Sequence, residues 1–502
     1  MVLTAVCCSY VYLTWHSEFV DLLSDSAIYL LMASSLDSGQ QISESVRHVV
    51  LSDYHFPPIF PFVLWIFGGG AAYPFASHFI NTSLLVTSLV FFFVWLRIQG
   101  VELTLALVLS VLVASLPVTI YFANFIVSEY LFMSFAFMAL IALERSDSTQ
   151  RRIYWAALFI GFAISTRFIG VALLPALAFF TFRTRPRHFV AVLAVAVCLP
   201  LLWSLYKTSF GSSNYVSSFF LSHKSDFFTS VLVYAWVNLQ VLGLSWIKSF
   251  DHYISDYSTL PAIVLGLMAL AGWVHRIARG RTDSIYVFFY FLILLPWPHP
   301  DHIHRFLLPV LPIMLFYTTV SARLVADRLE SPSGRALIVY GILAISFAVT
   351  LPTNVLLIKR LATSLPEHLE DFGRSQFWLF ARDPKDARQR MDFMHSLNRS
   401  MTLADFVPIN ACLWSIDPAR QMLTSRRASY ATPLPELDDA SFDRATERCR
   451  YFFVMSAIPA PNHSNITAFY PAERIVRTSR VIKQFEHEKF GVVSALLKRE
   501  VD

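Results

Sequence analysis

Apolar stretches long enough to cross a lipid bilayer recur along the first 358 residues, and they restrict the possible fold more than any other feature of the sequence. A transmembrane helix needs about 20 mostly apolar residues to cross the hydrocarbon core. We find eleven such stretches, at residues 1–16, 76–97, 102–121, 125–144, 153–166, 168–183, 188–206, 259–275, 284–297, 305–323 and 335–358. The sequence therefore predicts an α-helical polytopic membrane protein with about eleven transmembrane helices.

Charged residues divide the chain into two parts. Residues 359–502 hold 21 Lys/Arg and 18 Asp/Glu, which is 27% of that segment, whereas 10% of residues 1–358 are charged. An ordinary soluble domain carries about 25% charged residues. We therefore predict a transmembrane module at 1–358 and a soluble domain at 359–502. The formal net charge of +5 comes without a basic tract, so we predict no nucleic-acid partner.

Basic residues between the apolar stretches orient the predicted helices, because cytoplasmic loops collect Lys and Arg. If the N-terminus is cytoplasmic, thirteen arginines fall in inner loops and six basic residues in the longer outer loops. This orientation places two long segments, 17–75 and 207–258, and the C-terminal domain outside the cytoplasm. An oxidising compartment on that side would permit a disulfide between Cys412 and Cys449.

The C-terminal segment has the pattern of a small mixed α/β domain. Its apolar runs "CRYFFVMSAI" and "FGVVSALLKR" are typical of strands, and "DPKDARQRMDFMHSLN" is typical of a helix. No motif in this domain indicates a reaction.

In the first outer segment, Asp25 precedes apolar residues at helical spacing in "SDSAIYLLMASSLDSG", and Gly39 is placed to end the helix. The pattern predicts a helix that begins near Asp25 and lies along the membrane surface. Two interpretations of Asp25 stay open: a catalytic carboxylate, or an N-cap that only satisfies the first amides of the helix.

A second stretch of this segment, "SDYHFPPIFPFVLWIFGGG", interrupts an aromatic run with prolines and glycines. It predicts a re-entrant or interfacial segment, because irregular backbone is tolerated at membrane depth only where protein buries it or it lines a cavity. The alternative is an aromatic belt at the lipid interface, with His55 as a solvated bystander.

Polar residues of several predicted helices converge on the outer face. Glu129 lies about one turn inside the outer end of the fourth helix, where a carboxylate is costly and marks a functional site by default. The alternative for Glu129 is a carboxylate that reaches the interface or bonds a serine. Arg167 lies at the turn between the fifth and sixth helices, and His304 and Arg305 lie at the start of the tenth. Such a set suits an anionic lipid headgroup together with a metal or a proton acceptor.

Five motifs between residue 17 and about residue 320 occur in the same order as those of the GT-C glycosyltransferases, and the chain resembles that family. Within the family, it is similar to the bacterial relatives of protein mannosyltransferases and of the enzyme that adds aminoarabinose to lipid A. The motifs are Asp25 with Ser26 where the family often has Asp-Glu, "HFPPIFP" around His55 with Phe56 inserted, Glu129 at a helix start, the Arg-aromatic-x-Gly turn from Arg167 to Gly170, and the R-[YF]-L-L-P-x-L-P start from Arg305 to Pro312.

The resemblance implies an enzyme that transfers a sugar from a polyprenyl-phosphate donor to an acceptor on the outer face of a bacterial inner membrane, with inversion at the anomeric carbon. Asp25 would be the general base, and Arg167, His304 and Arg305 would bind the donor phosphate. Glu129 and His55 would either coordinate a divalent metal ion or orient donor and acceptor. Neither the sugar nor the acceptor is specified.

A transporter or flippase for a lipid-linked or anionic substrate is the alternative function. Intramembrane Glu and Arg residues mark transport paths as well as active sites. Two observations oppose it: the sequence has no visible repeat, and its polar groups gather at one face and not at the midplane. A simple membrane anchor does not explain so many helices.

Overall fold

Helices dominate the computed structural model, which describes residues 8–10, 12, 24–37, 42–54, 56–145, 150–209, 227–329, 331–372, 376–431, 443–444, 447–455, 475 and 477–500. The chain divides into two units. The first comprises Met1–Trp15, His55–Phe60 and His78–Thr363, and the second comprises His16–Tyr54, Pro61–Ser77 and Ser364–Asp502.

The α-helices in chain order are α1 (Ser24–Ser35), α2 (Glu44–Asp53), α3 (Ile59–Ile66), α4 (Pro74–Ile98), α5 (Leu103–Ser115), α6 (Pro117–Ala123), α7 (Glu129–Glu144), α8 (Gln150–Ile164), α9 (Leu173–Thr184), α10 (Phe189–Thr208), α11 (Phe227–Phe250), α12 (Asp256–Ala278), α13 (Thr282–Leu294), α14 (Ile303–Leu307), α15 (Leu311–Ala326), α16 (Pro332–Leu361), α17 (Gln376–Leu379), α18 (Pro384–Ser400) and α19 (Pro418–Ser425). Short 3-10 helices occupy Phe168–Ala172, Pro186–His188, Pro300–His302, Glu367–Phe372 and Met401–Phe406. The strands are β1 (Leu413–Ser415), β2 (Ser429–Ala431), β3 (Tyr451–Met455), β4 (Ser479–His487) and β5 (Gly491–Arg499).

Many of these helices are apolar enough to lie in a membrane, as the sequence predicts. Within the described ranges, five are also long enough to cross it, and two bent pairs raise the number to seven. Other predicted spans are represented by shorter helices; α7, α8 and α13 have 16, 15 and 13 residues. These helices are shorter than the predicted stretches because each stretch also included turn residues beside the helix. Of the predicted helix 1–16, only residues 8–10 and 12 are described, and the Tyr10 hydroxyl donates to the carbonyl of Ala114.

The two ends of α7 give the first unit a near end, where α7 begins at Glu129, and a far end, where it ends at Glu144. At the far end, Thr282 at the start of α13 donates to Glu144 (3.1 Å), and Arg276 near the end of α12 donates to Gln99 beyond α4 (2.8 Å). The far ends of α4, α7, α12 and α13 therefore meet.

A buried ion pair holds this far end together. Arg276 makes two hydrogen bonds to Asp283, at 2.7 Å and 2.6 Å, and Asp283 also accepts from the hydroxyl of Tyr317 (2.8 Å). Helices α12 and α15 can approach closely because Gly272 has no side chain: a Cβ there would lie 2.8 Å from the carbonyl carbon of Tyr317. The far end is thus a tightly packed, charge-paired junction.

The segment 207–258, predicted to be an outer loop, contains the 24-residue apolar helix α11. The segment starts and finishes at the near end of the first unit. Helix α11 therefore does not change the end at which the next helix begins. Helix α10 starts at the far end, where His188 lies 3.1 Å from the hydroxyl of Tyr154 in α8, and it runs to the near end. Helix α12 starts at the near end, where His252 stacks on Tyr121 of α6 (5.4 Å).

The second unit contains a five-stranded sheet of order β2-β1-β3-β5-β4. Strand β1 is parallel to β2 and β3, whereas β5 is antiparallel to β3 and β4. Strands β3 and β5 and helix α18 occupy the three stretches predicted from sequence, and Asp383 caps α18 by accepting from the Lys385 amide (2.9 Å). The predicted small mixed α/β fold is confirmed. The boundary at residue 359 stays a prediction.

Residues 16–54 and 61–77 of the first outer segment belong to this second unit. Helix α1 packs on α2 and α19, and Ser26 to Ser35 are all buried. Protein therefore covers α1 on all sides, and its position along the membrane surface stays a prediction. Its polar face consists of serines, which are small enough to be buried with partners: Ser34 accepts from the Ala71 amide (2.8 Å), and Ser35 donates to the Met32 carbonyl (2.6 Å). The predicted end at Gly39 lies outside the described residues, and α1 ends at Ser35.

A disulfide joins Cys412 and Cys449, which precede the neighbouring parallel strands β1 and β3, and their Cα atoms are 5.1 Å apart. The bridge closes a loop with a sequence separation of 37 residues. Closing such a loop restricts the unfolded chain and therefore stabilises the folded sheet.

Replacing both Cys412 and Cys449 by Ser should lower the free energy of unfolding of the second unit by about 4 kcal/mol. Thermal unfolding of the full chain in lipid nanodiscs measures the loss, and Cys198→Ser, at an exposed free cysteine, is the control. Two free thiols in a non-reducing digest of oxidised protein would contradict the bridge.

Candidate functional site

A carboxylate shared by two arginines lies at the near end of the first unit. Glu129 is 0% exposed, and its Oε1 lies 2.5 Å from Nη1 of Arg167. Arg305 pairs its Nε with the same oxygen and its Nη2 with Oε2 (3.1 Å). Two guanidinium groups around one carboxylate carry a formal net charge of +1. Because an unbalanced buried charge is costly, this cluster favours an additional anion.

Helix α4 fixes the position of Glu129 through the loop that precedes α7. The side-chain amide of Asn81 donates to the Phe125 carbonyl (2.7 Å), and its oxygen accepts from the Val127 amide (3.2 Å). The next residue, Ser128, lies with its hydroxyl 3.2 Å from Nη1 of Arg167. Both polar atoms of Asn81 are used, so the amide is a two-point clamp on the loop.

The backbone around Arg167 forms a tight turn. The Gly170 amide donates to the Arg167 carbonyl (2.9 Å), and a Cβ at Gly170 would lie 2.7 Å from the Ile164 nitrogen. Only glycine fits so close to the end of α8. The turn directs the Arg167 guanidinium over the ring of Phe306, 4.9 Å from its centroid. The hydroxyl of Tyr290 donates a hydrogen bond to the Phe306 carbonyl (2.7 Å).

His304 is next to Arg305 in sequence, but its imidazole contacts other groups. Its ring lies 5.8 Å from that of Phe122, and it hydrogen-bonds the backbone of Ser245 in α11. Its Nδ1 is buried without a hydrogen-bond partner. The structure therefore brings together Glu129, Arg167 and Arg305 of the predicted set and directs His304 towards α11.

Asp251 and His252 lie in the connection between α11 and α12. Burial raises the pKa of Asp251, but hydrogen bonds, among them those from Ser255 and Thr353, outweigh it and hold this pKa below the usual value. Burial, together with nearby Lys248, lowers the pKa of His252 to about 4. At pH 7 this connection therefore adds an ionised carboxylate and a neutral imidazole to the near end.

Asp25 belongs to the second unit. It lies half-buried in the first turn of α1, one residue after the helix begins at Ser24. The partial positive charge at a helix N-terminus stabilises a carboxylate there. Asp25 thus lies at the start of α1, and both interpretations, a catalytic carboxylate and an N-cap, stay predictions.

The predicted metal role of Glu129 does not fit its surroundings, because both of its oxygens are paired with guanidinium groups. His55, the second predicted ligand, lies outside the described residues. Among the residues that are described, no three His, Cys, Asp or Glu side chains are grouped so that they can hold a metal. The surroundings of Glu129 fit an orienting role.

Sequence reasoning missed Asn81, Ser128 and Phe306, which position the three charged residues. Ser128 and Phe306 each adjoin a residue that was identified, so their proximity in the chain was a usable signal. Asn81 lies within a predicted transmembrane helix, where a polar amide is uncommon enough to notice.

Gly170→Ala should lower the stability of the first unit by roughly 1–3 kcal/mol, because the new methyl group overlaps the end of α8. Gly341→Ala is the matched control, since no atom lies within 4 Å of the added Cβ. Thermal unfolding of the two variants in nanodiscs compares them. Equal midpoints would contradict the close contact at Gly170.

Comparison of the sequence with protein-family models and with curated proteins finds no match. In structure, the chain is similar to ArnT from Cupriavidus metallidurans in the apo state, with 13% identity, a TM-score of 0.56, and coverage of 99% of this chain and 96% of that chain. It is also similar to the same protein bound to undecaprenyl phosphate, with 12% identity, a TM-score of 0.55, and coverage of 99% and 97%. A weaker match, with a TM-score of 0.47, 13% identity and coverage of 90% and 67%, is the Archaeoglobus fulgidus oligosaccharyltransferase in complex with Zn and sulfate. The chain thus has the GT-C fold of membrane glycosyltransferases.

Proposed function

We propose that the protein is a glycosyltransferase that moves a sugar from a polyprenyl-phosphate carrier to an acceptor at the outer face of a bacterial inner membrane. The observation that carries this proposal is the buried cluster of Glu129, Arg167 and Arg305, with its net positive charge, in a chain of GT-C fold. The ArnT structure with undecaprenyl phosphate supports a lipid phosphate as the ligand of such a fold.

Arg167 and Arg305 bind the donor phosphate in this proposal. A planar guanidinium offers several N–H donors in a fixed fork, which suits phosphate oxygens and strengthens hydrogen bonds through charge. Both side chains are mostly buried, at 12% and 7% exposed, so water screens their charges little. Glu129 orients the two guanidinium groups, because its Oε1 pairs with both of them and its Oε2 pairs with Arg305.

Asp25 is the general base of the proposed reaction. The lipid phosphate leaves as a stable anion and needs no general acid, whereas the acceptor hydroxyl or amine must lose a proton as it attacks the anomeric carbon. A half-buried carboxylate in the first turn of α1 can accept that proton. A divalent metal is not required by this scheme, because the two arginines already supply the positive charge beside the phosphate.

The proposed orientation has a cytoplasmic N-terminus and an extracytoplasmic C-terminal domain. Two observations support it: arginines concentrate in the predicted inner loops, and Cys412 is bridged to Cys449, which suits an oxidising compartment. A transporter for the same lipid-linked sugar remains the second hypothesis, and a transfer assay separates the two.

Asp25→Asn should reduce sugar transfer by at least about a hundredfold while donor binding is retained, because the amide cannot accept the proton. The assay follows radiolabel from polyprenyl-phosphate sugars to a membrane extract in nanodiscs. Asp37→Asn, just beyond the same helix, is the control. Near-full turnover by Asp25→Asn would remove Asp25 as the base, and label that crosses the bilayer while staying on its carrier would favour the transporter.

Arg167→Ala should weaken binding of the lipid-phosphate donor about tenfold or more, because a buried charge-assisted hydrogen bond is lost. Titration of undecaprenyl phosphate into nanodiscs measures the affinity. Arg183→Ala, an exposed arginine at the end of α9, is the matched control. An unchanged affinity in Arg167→Ala would reject the phosphate-binding role.

A further inference from the structure

The single carboxylate in the arginine cluster has a consequence for the product of the reaction. We infer that Glu129 weakens binding of the doubly charged phosphomonoester product more than binding of the singly charged phosphodiester donor, and so favours product release. This inference rests on the proposed function, because it assigns a selective role within the same phosphate site.

The charges follow from the bonds that change. In the donor, the phosphate is esterified to both the prenyl chain and the sugar and carries one negative charge. Transfer breaks the bond between the anomeric carbon and the phosphate oxygen, and a bond forms from that carbon to the acceptor oxygen or nitrogen. The acceptor proton goes to the base, and the bonding electrons stay on the phosphate. The carrier leaves as a monoester, which holds a second negative charge above its pKa of about 6.

The geometry makes Glu129 a direct competitor for the groups that bind phosphate. Arg305 presents two N–H groups to the two carboxylate oxygens, which is the pairing that a phosphate would also use, and Arg167 contacts the first of these oxygens. Because Glu129 is fully buried, its charge is poorly screened. The carboxylate therefore repels an anion that is bound to the same guanidinium groups.

The repulsion acts once on the donor and twice on the product. If Glu129 lowers the affinity for one negative charge by a given factor, it lowers the affinity for two by about the square of that factor. One charge about 6 Å away, at an effective dielectric constant of about 20, corresponds to a factor on the order of one hundred. Even a factor of about ten, which is a tenth of that factor, gives a measurable difference between the two ligands.

Other ionisable groups near Glu129 are the same in the wild-type protein and in its Glu129 variants. The phenols of Tyr130 and Tyr290 lie close enough to interact with its charge, and His302 and His304 adjoin Arg305 on the chain. The phosphodiester keeps one charge between pH 5 and pH 8, so changes in its affinity report these protein groups. The ratio of monoester to diester affinity then isolates the second charge of the phosphate.

The test measures the affinities of undecaprenyl phosphate and of its methyl ester for the full chain in nanodiscs, at pH 5 and at pH 8. Glu129→Gln should raise the affinity for the monoester about tenfold or more beyond its effect on the diester at pH 8, and this excess should largely disappear at pH 5. Glu129→Asp keeps the charge and should keep the wild-type ratio.

A charge-balanced variant covers the case in which Glu129→Gln does not fold. Glu129→Gln combined with Arg167→Gln leaves one guanidinium and restores the net charge of +1, so it should return the ratio to that of the wild type. A tenfold rise of the monoester over the diester in this variant would overturn the inference.

The remaining outcomes separate this inference from the proposed function. If both ligands bind and Glu129→Gln changes their affinities equally at both pH values, Glu129 has only a structural role and the inference fails. If neither ligand binds the wild-type protein, the proposed lipid-phosphate donor fails, and this inference fails with it.

Discussion

The near end of the first unit depends on one carboxylate that is paired with two guanidinium groups. Glu129 begins α7, Arg167 lies in the turn after α8, and Arg305 lies in α14, so a single ionic cluster ties together three separate parts of the chain. Removing the carboxylate would leave two buried cations facing each other, which is strongly destabilising. The same ionic cluster therefore holds these three parts of the chain in position and gives the site its positive charge.

The far end of the same unit shows what a purely structural cluster looks like. There Arg276 has its own acid, Asp283, and Tyr317 completes the hydrogen bonding of that carboxylate. Its arginine and acid balance each other, whereas the near-end cluster retains one positive charge. Both clusters are buried in the same helical bundle. The difference in charge, and not burial alone, is what distinguishes a site suited to bind an anion from a junction that holds helices together.

Much of this arrangement could be predicted from the sequence, because charged residues inside apolar stretches are rare enough to identify one by one. Glu129 and Arg305 were found in this way, and Arg167 in the turn between two such stretches. Together with the motifs of Asp25 and His55, their motifs resemble those of GT-C glycosyltransferases in the same order. Residue type alone could not predict the direction of the His304 side chain, since neighbouring residues of a helix face different ways. The burial of α1 was also missed, because periodicity cannot distinguish a serine-lined face in water from one covered by another helix. The 24-residue apolar helix α11 was also missed, because its segment was interpreted as one outer loop.

The central claim is that Arg167 and Arg305 bind the phosphate of a lipid-linked donor. Electron cryo-microscopy of the protein in nanodiscs with a non-hydrolysable polyprenyl phosphodiester tests it most directly. The account predicts phosphate density within hydrogen-bonding distance of both guanidinium groups, with Glu129 still paired to them. Phosphate density elsewhere, with the three-residue cluster unchanged, would contradict it.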